Sequence, residues 1–181
     1  MSLPNAITFL RIILVPFFFT ELVSYQPGLE KHRVAALGIF IFAVITDALD
    51  GYIARATSKK TALGEFLDPL ADKLLLLSGY LGLLVVAGLP YRPPVWVTVT
   101  FVFRDMMIVA GLIAIYCVSG TVRISVNFLG KITTAAQMFT LIGILLMWPY
   151  SFVLWNITAA LTIISFFVYC RREFTKLKPH L

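Results

Sequence analysis

Charge is what this chain has least of: only 13% of its 181 residues are Asp, Glu, Lys or Arg, while 60% are hydrophobic. Soluble domains devote roughly a quarter of their residues to charge, so this chain cannot cover a water-facing surface. A mean hydropathy of +0.92 excludes disorder and a soluble basic nucleic-acid-binding domain alike, and no nucleic-acid partner is expected. Cysteine is also scarce. Cys117 and Cys170 are the only two, both lie in apolar runs, and they supply neither a disulfide framework nor metal-ligand spacing. Low-complexity tracts and linkers are missing too, so residues 1–181 are expected to form a single membrane domain.

Long apolar runs take the place of charge. They fall at about residues 7–26, 34–55, 65–89, 95–118, 129–148 and 151–170, each near the roughly 20 residues needed to cross a bilayer. The first run contains Arg11 and is followed by no small-residue cleavage site, so it is expected to stay as a span. Turn residues separate the runs: Gln26-Pro27-Gly28, Gly88-Leu89-Pro90, Pro93-Pro94 and Pro149. The expected fold class is therefore an all-α integral membrane protein of six transmembrane helices. Six spans put both termini on one side. That side carries nine basic residues (Arg55, Lys59, Lys60, Arg123, Lys131, Arg171, Arg172, Lys176 and Lys178), and the other side only Lys31, Arg33 and Arg92. The excess of Lys and Arg on cytoplasmic segments places both termini in the cytoplasm.

The scarce acidic residues are not spread evenly. Five of nine lie between Asp47 and Asp72, at the end of the second run and the start of the third. A charge within a membrane helix costs on the order of 2.5–3.5 kcal/mol, so four unpaired aspartates would cost ~10 kcal/mol and mark a functional site by default. At helical spacing Asp47, Asp50, Gly51, Ala54 and Arg55 fall within about 140° of one another, and Gly64, Asp68 and Asp72 within about 80°. Helices joined by a short loop pack antiparallel, so the two acidic faces can oppose each other. Converging carboxylates repel unless cations sit between them, and aspartate oxygens without His or Cys favour magnesium or manganese over zinc. Two plainer alternatives stand beside this one. Ion pairing with Arg55, Lys59, Lys60 and Lys73 at the membrane boundary explains a charged helix end but not Asp47 and Asp50 upstream of it. A cation pathway, as in a divalent-cation transporter, would use the same carboxylates.

The spacing itself separates these readings. Asp47-Ala-Leu-Asp50-Gly51-Tyr-Ile-Ala54-Arg55, then eight residues, then Gly64-Glu-Phe-Leu-Asp68-Pro-Leu-Ala-Asp72 resembles, without departure, the D-x2-D-G-x2-A-R-x8-G-x3-D-x3-D signature of the CDP-alcohol phosphatidyltransferases. That resemblance implies a cytoplasmic-facing active site in which an acceptor hydroxyl attacks the lipid-bearing phosphorus of CDP-diacylglycerol and CMP leaves. It implies Asp47, Asp50, Asp68 and Asp72 as ligands of magnesium or manganese, two ions in all, with Asp72 also the general base. Asp47, Gly51, Ala54, Arg55 and Gly64 then form the CDP-lipid site, and a homodimer in a bacterial inner membrane is expected.

Three further segments bear on the acceptor. Leu3-Pro4-Asn5-Ala6-Ile7-Thr8-Phe9-Leu10-Arg11 resembles the opening of phosphatidylglycerophosphate synthases and of CDP-diacylglycerol-dependent cardiolipin synthases, which adds Asn5 and Thr8 to the CDP-lipid site and Arg11 to the acceptor site. Arg104-Asp105 is similar to the cardiolipin synthase pattern, where the phosphatidylglycerophosphate synthases typically have Arg-Glu. Gly130-Lys131-Ile-Thr133-Thr134-Ala-Ala-Gln137 resembles the Gly-Lys-x-Lys-Thr-x-x-Gln of the phosphatidylglycerophosphate synthases, with Thr133 in place of the second lysine. Arg104, Lys131 and Thr134 are thus expected with Arg11 around the acceptor. Glycerol 3-phosphate is the leading acceptor and phosphatidylglycerol the alternative. A dianionic phosphate calls for several Arg or Lys donors, whereas a phosphodiester brings one charge and two acyl chains.

Overall fold

The computed structural model describes residues 3–57, 62–119 and 128–177, and within them the side chains of 8–47, 70–111 and 128–171. All six elements are helices: α1 (Leu3–Val23), α2 (Glu30–Thr57), α3 (Ala62–Val85), α4 (Val95–Ser119), α5 (Phe128–Leu145) and α6 (Ser151–Leu177). No strand occurs among the described residues. Each expected run falls on one helix, and the ends differ where the backbone turns. The third run extends to residue 89, but α3 stops at Val85 because Gly88 takes φ 83° and Pro90 follows. A side chain at Gly88 would also collide with the Pro27 ring. The α5 helix ends at Leu145 in a Schellman turn, with Met147 left-handed at φ 57° and the Trp148 amide donating to the Gly143 carbonyl.

Packing follows the chain. The first helix lies against α2 and α3, α4 against α3 and α6, α5 against α6, and α2 against α5. Small residues let the first of these contacts close: the absent Cβ of Gly82 would lie 2.6 Å from Leu22 Cδ2, and that of Gly79 3.2 Å from the Phe18 ring. Phe18 stacks on Phe40 at 5.4 Å between ring centres, and the Tyr80 and Phe101 rings meet edge-on at 4.9 Å. At the α1–α2 turn, Glu21 pairs with His32 at 2.8 Å and Arg33 reaches across to the Leu145 carbonyl.

Among the described residues many large apolar side chains face outward, while several polar and charged groups lie inside beside the hydrophobic core. Phe9, Ile13, Phe17, Phe42, Phe103, Phe139 and Phe167 are exposed, while Thr8, Arg11, Arg104, Asp105, Thr133, Gln137, Thr140, Thr158 and Ser165 are buried. Exposed apolar side chains over buried charge suit a membrane protein. Among the described residues, Phe128–Leu145 and Ser151–Arg171 are each long and apolar enough to cross a membrane.

Candidate active site

Three helices build a first polar centre around Arg11, which is 1% exposed. Its Nη2 lies 2.6 Å from Asp47 Oδ1 of α2 and its Nη1 2.8 Å from Asp72 Oδ1 of α3. The planar guanidinium fork thus clasps two carboxylates from separate helices. Continuous helix through Asp47 in α2 and Asp72 in α3 supports the facial arithmetic of the motif, and Asp47 and Asp72 do converge. Asp47 and Asp72 bring two carboxylates from separate helices to one cation, and among the described residues no third Asp, Glu, His or Cys side chain joins them. Residues 47–72 contain no His or Cys, so oxygen is the only strong ligand type available there. The residues present therefore fit magnesium or manganese.

A second polar centre adjoins the first and draws on the other three helices. Asp105 of α4 accepts at Oδ1 from Lys73 Nζ of α3 at 2.9 Å and from Arg104 Nη1 at 2.8 Å. The Lys73 ammonium also donates to Thr134 Oγ1 of α5 at 3.0 Å, and Arg104 Nη2 to Ser165 Oγ of α6 at 3.1 Å. Close by, the missing side chain of Gly130 would stand 3.4 Å from Arg104 Nη2, so the first turn of α5 lies against the guanidinium. Two cations share one carboxylate oxygen, leaving this centre with one net positive charge. In addition, Arg104 Nε is buried without a hydrogen-bond partner among the described residues. A buried, net positive centre with a spare donor is suited to an anion.

Asp72 and Lys73 are neighbours in the chain and about 100° apart around α3, so one turns towards α1 and α2 while the other turns towards α4 and α5. This single step joins the acidic centre to the basic one. Every ionic or hydroxyl group in both centres lies about 9–22 Å along its helix from the end of the bundle that holds the starts of α1, α3 and α5 and the ends of α2, α4 and α6.

The sequence-expected residues fall into four sets. Asp47 and Asp72 come together, with Arg11 seated on them rather than beside Arg104. Arg104 and Thr134 are brought together through Lys73 and Asp105. Thr8 is buried one turn before Arg11 on α1, whereas Lys131 stands exposed on α5 and outside the Arg104 group. Asn5 lies on α1, Asp50, Gly51, Ala54 and Arg55 on α2, and Gly64 and Asp68 on α3, but their side chains lie outside the described residues. Lys73 and Ser165 are additions that motif spacing missed. The sequence offers Lys73 only as an ion-pair partner for the motif aspartates, and it pairs with Asp105 instead. Ser165, one hydroxyl in an apolar run, gave no such sign.

A model of the CDP-alcohol phosphatidyltransferase family matches residues 1–168. The chain is similar to a CDP-diacylglycerol–glycerol-3-phosphate 3-phosphatidyltransferase of Yersinia enterocolitica, with 34% identity over 177 residues that cover 93% of each chain. A Bacillus subtilis protein of the same name is 39% identical over 154 residues, covering 80% of this chain and 77% of its own.

Proposed function

The chain belongs to the CDP-alcohol phosphatidyltransferase family, and from that premise we propose that it transfers a phosphatidyl group from CDP-diacylglycerol to glycerol 3-phosphate, releasing CMP. The observation that carries this reading is the junction at Asp72 and Lys73, where a carboxylate centre and a net positive centre meet. A nucleophilic hydroxyl and its phosphate need these two environments side by side.

Asp47 and Asp72, with Asp50 and Asp68 from the same motif, would hold one or two magnesium or manganese ions, which when bound neutralise the diphosphate and stabilise the departing CMP. Gly51, Ala54, Arg55 and Gly64, with Asn5 and Thr8 from α1, form the CDP-lipid side of the site. Lys73, Arg104 and Thr134 hold the acceptor phosphate, and Lys131 lies near the same end of α5. Asp72 takes the proton from the terminal hydroxyl as its oxygen bonds to the lipid-bearing phosphorus. The bond from that phosphorus to the CMP oxygen breaks, so no covalent enzyme intermediate is required. Arg11 keeps Asp47 and Asp72 in register across three helices.

All six helices span the membrane, the shared end of the two centres faces the cytoplasm, and the protein works as a homodimer in a bacterial inner membrane. Support for the orientation comes from the nine-to-three distribution of Lys and Arg between the two sides. The test is a detergent assay with CDP-diacylglycerol and magnesium, offering glycerol 3-phosphate, phosphatidylglycerol or inositol 1-phosphate separately and identifying the lipid product. CMP release with glycerol 3-phosphate and formation of phosphatidylglycerophosphate are expected. Cardiolipin as the product would shift the acceptor to phosphatidylglycerol. Metal flux in vesicles without CMP release would point to a transporter.

A further inference from the structure

Gln137 is 0% exposed, and among the described residues neither its amide nitrogen nor its amide oxygen has a hydrogen-bond partner. Folded proteins rarely leave such an amide unpaired, because both groups have given up water for nothing. Its place on α5 is well fixed. The Gln137 carbonyl accepts from the Tyr80 hydroxyl at 2.7 Å, and the Tyr80 ring is braced edge-on by Phe101. Gln137 shares a face of α5 with Thr134, three residues earlier, and with Gly130, seven residues earlier. Those two positions are the ones that meet Lys73 and Arg104. The unpaired amide therefore lies one turn deeper than the cations, on the same side of the helix.

The chemistry of this group narrows its ligand. A phosphate only accepts hydrogen bonds and would engage Lys73 and Arg104 Nε. A primary amide offers a donor and an acceptor together, which is the complement of a hydroxyl group. We propose that Gln137 binds the middle, non-reacting hydroxyl of the acceptor and thereby selects a glycerol phosphate over a phosphorylated alcohol lacking that group. This inference rests on the glycerol 3-phosphate reading above. Gln137 sets specificity and takes no part in bond making or breaking.

The test uses the full chain in detergent with CDP-diacylglycerol and magnesium, and compares glycerol 3-phosphate with 3-hydroxypropyl phosphate, which keeps the phosphate and a terminal hydroxyl but lacks the middle one. The wild type should prefer glycerol 3-phosphate by at least 30-fold in kcat/KM, since the analogue leaves the amide unpaired. In Gln137→Met, which is close in shape and apolar, that preference should fall below threefold, with the loss on glycerol 3-phosphate and the KM for CDP-diacylglycerol unchanged. Without acceptor the variant should unfold at or above the wild-type temperature, because it buries no unpaired amide. Gln137→Asn, which keeps an amide on a shorter stem, should retain an intermediate preference and serves equally if the Met variant does not accumulate. An unchanged preference in both variants would overturn the inference and leave an internal water as the amide's partner. Equal losses on both acceptors with a lowered unfolding temperature would overturn it in favour of a packing role. No turnover of glycerol 3-phosphate by the wild type would overturn the acceptor reading and this inference together, whereas turnover with an unchanged preference overturns only the latter.

Discussion

Replacing Asp105 by Asn tests whether the second centre is a charge-balanced anion site. The substitution keeps the shape of the side chain and removes the one carboxylate shared by Lys73 and Arg104. Their nitrogens, 2.9 and 2.8 Å from Asp105 Oδ1, can be no more than 5.7 Å apart, the sum of the two distances. At an effective dielectric constant of about 20, two positive charges at that distance repel by about 3 kcal/mol. In the wild type the shared carboxylate offsets this repulsion, and with Asn it stands uncompensated, the situation in which removing one partner of a buried ion pair costs roughly 3–5 kcal/mol. For a domain of this size each kcal/mol moves the unfolding midpoint by about 2–4 °C, so Asp105→Asn should unfold about 6–12 °C below the wild type in detergent. Glycerol 3-phosphate should recover more of that loss than an equal concentration of glycerol, because only the phosphate replaces the missing negative charge. The assay is thermal unfolding followed by intrinsic fluorescence, with and without each additive. A shift under 2 °C, or equal recovery by both additives, would refute the assignment of Lys73 and Arg104 to a phosphate.

The first centre makes its own predictions. Asp72→Asn should lower CMP release by about 10²–10⁴-fold while the fold is retained; activity within a few-fold of wild type would remove Asp72 from the role of base. Asp47→Asn and Asp68→Asn should abolish the magnesium-dependent part of CDP affinity measured by calorimetry, and unchanged affinities would rule out the proposed metal site. Arg11→Met leaves the Asp47 and Asp72 carboxylates without the guanidinium between them, so the EDTA-treated variant should unfold several degrees lower, with added magnesium restoring most of the difference. If magnesium recovered nothing, the two carboxylates would not share a cation site.

How much of this was legible beforehand depends on what kind of order each feature obeys. Helix number followed from run length, because a helix across a bilayer must satisfy its own backbone and stay apolar for about 20 residues. Helix ends were less legible: Met147 adopts a left-handed turn that glycine usually supplies, and nothing in a run of apolar residues announces it. Of the acidic motif, Asp47 and Asp72 were readable because helical spacing orders each face, and α1 brings the two together through Arg11, while the side chains of Asp50 and Asp68 lie outside the described residues. The basic centre was readable only in part. Arg104 and Thr134 drew notice from their own segments, but the ammonium that joins them comes from α3, 31 residues before Arg104 and 61 before Thr134.

The sequence by itself therefore determined a helical protein with long apolar runs whose rare carboxylates crowd one short stretch of chain, since hydropathy, helical period and the penalty on buried charge all act along a single chain. Only the tertiary structure decided which cation each carboxylate meets. Arg11 went to Asp47 and Asp72, and Lys73 turned away from the acidic group beside it to share Asp105 with Arg104. Those partners lie on different helices, and a pairing between helices depends on how the bundle packs: on Gly79 and Gly82 admitting Phe18 and Leu22, and on the side of α3 that each neighbour takes. Residue spacing encodes a face, but the helix that comes to rest against that face is chosen by packing.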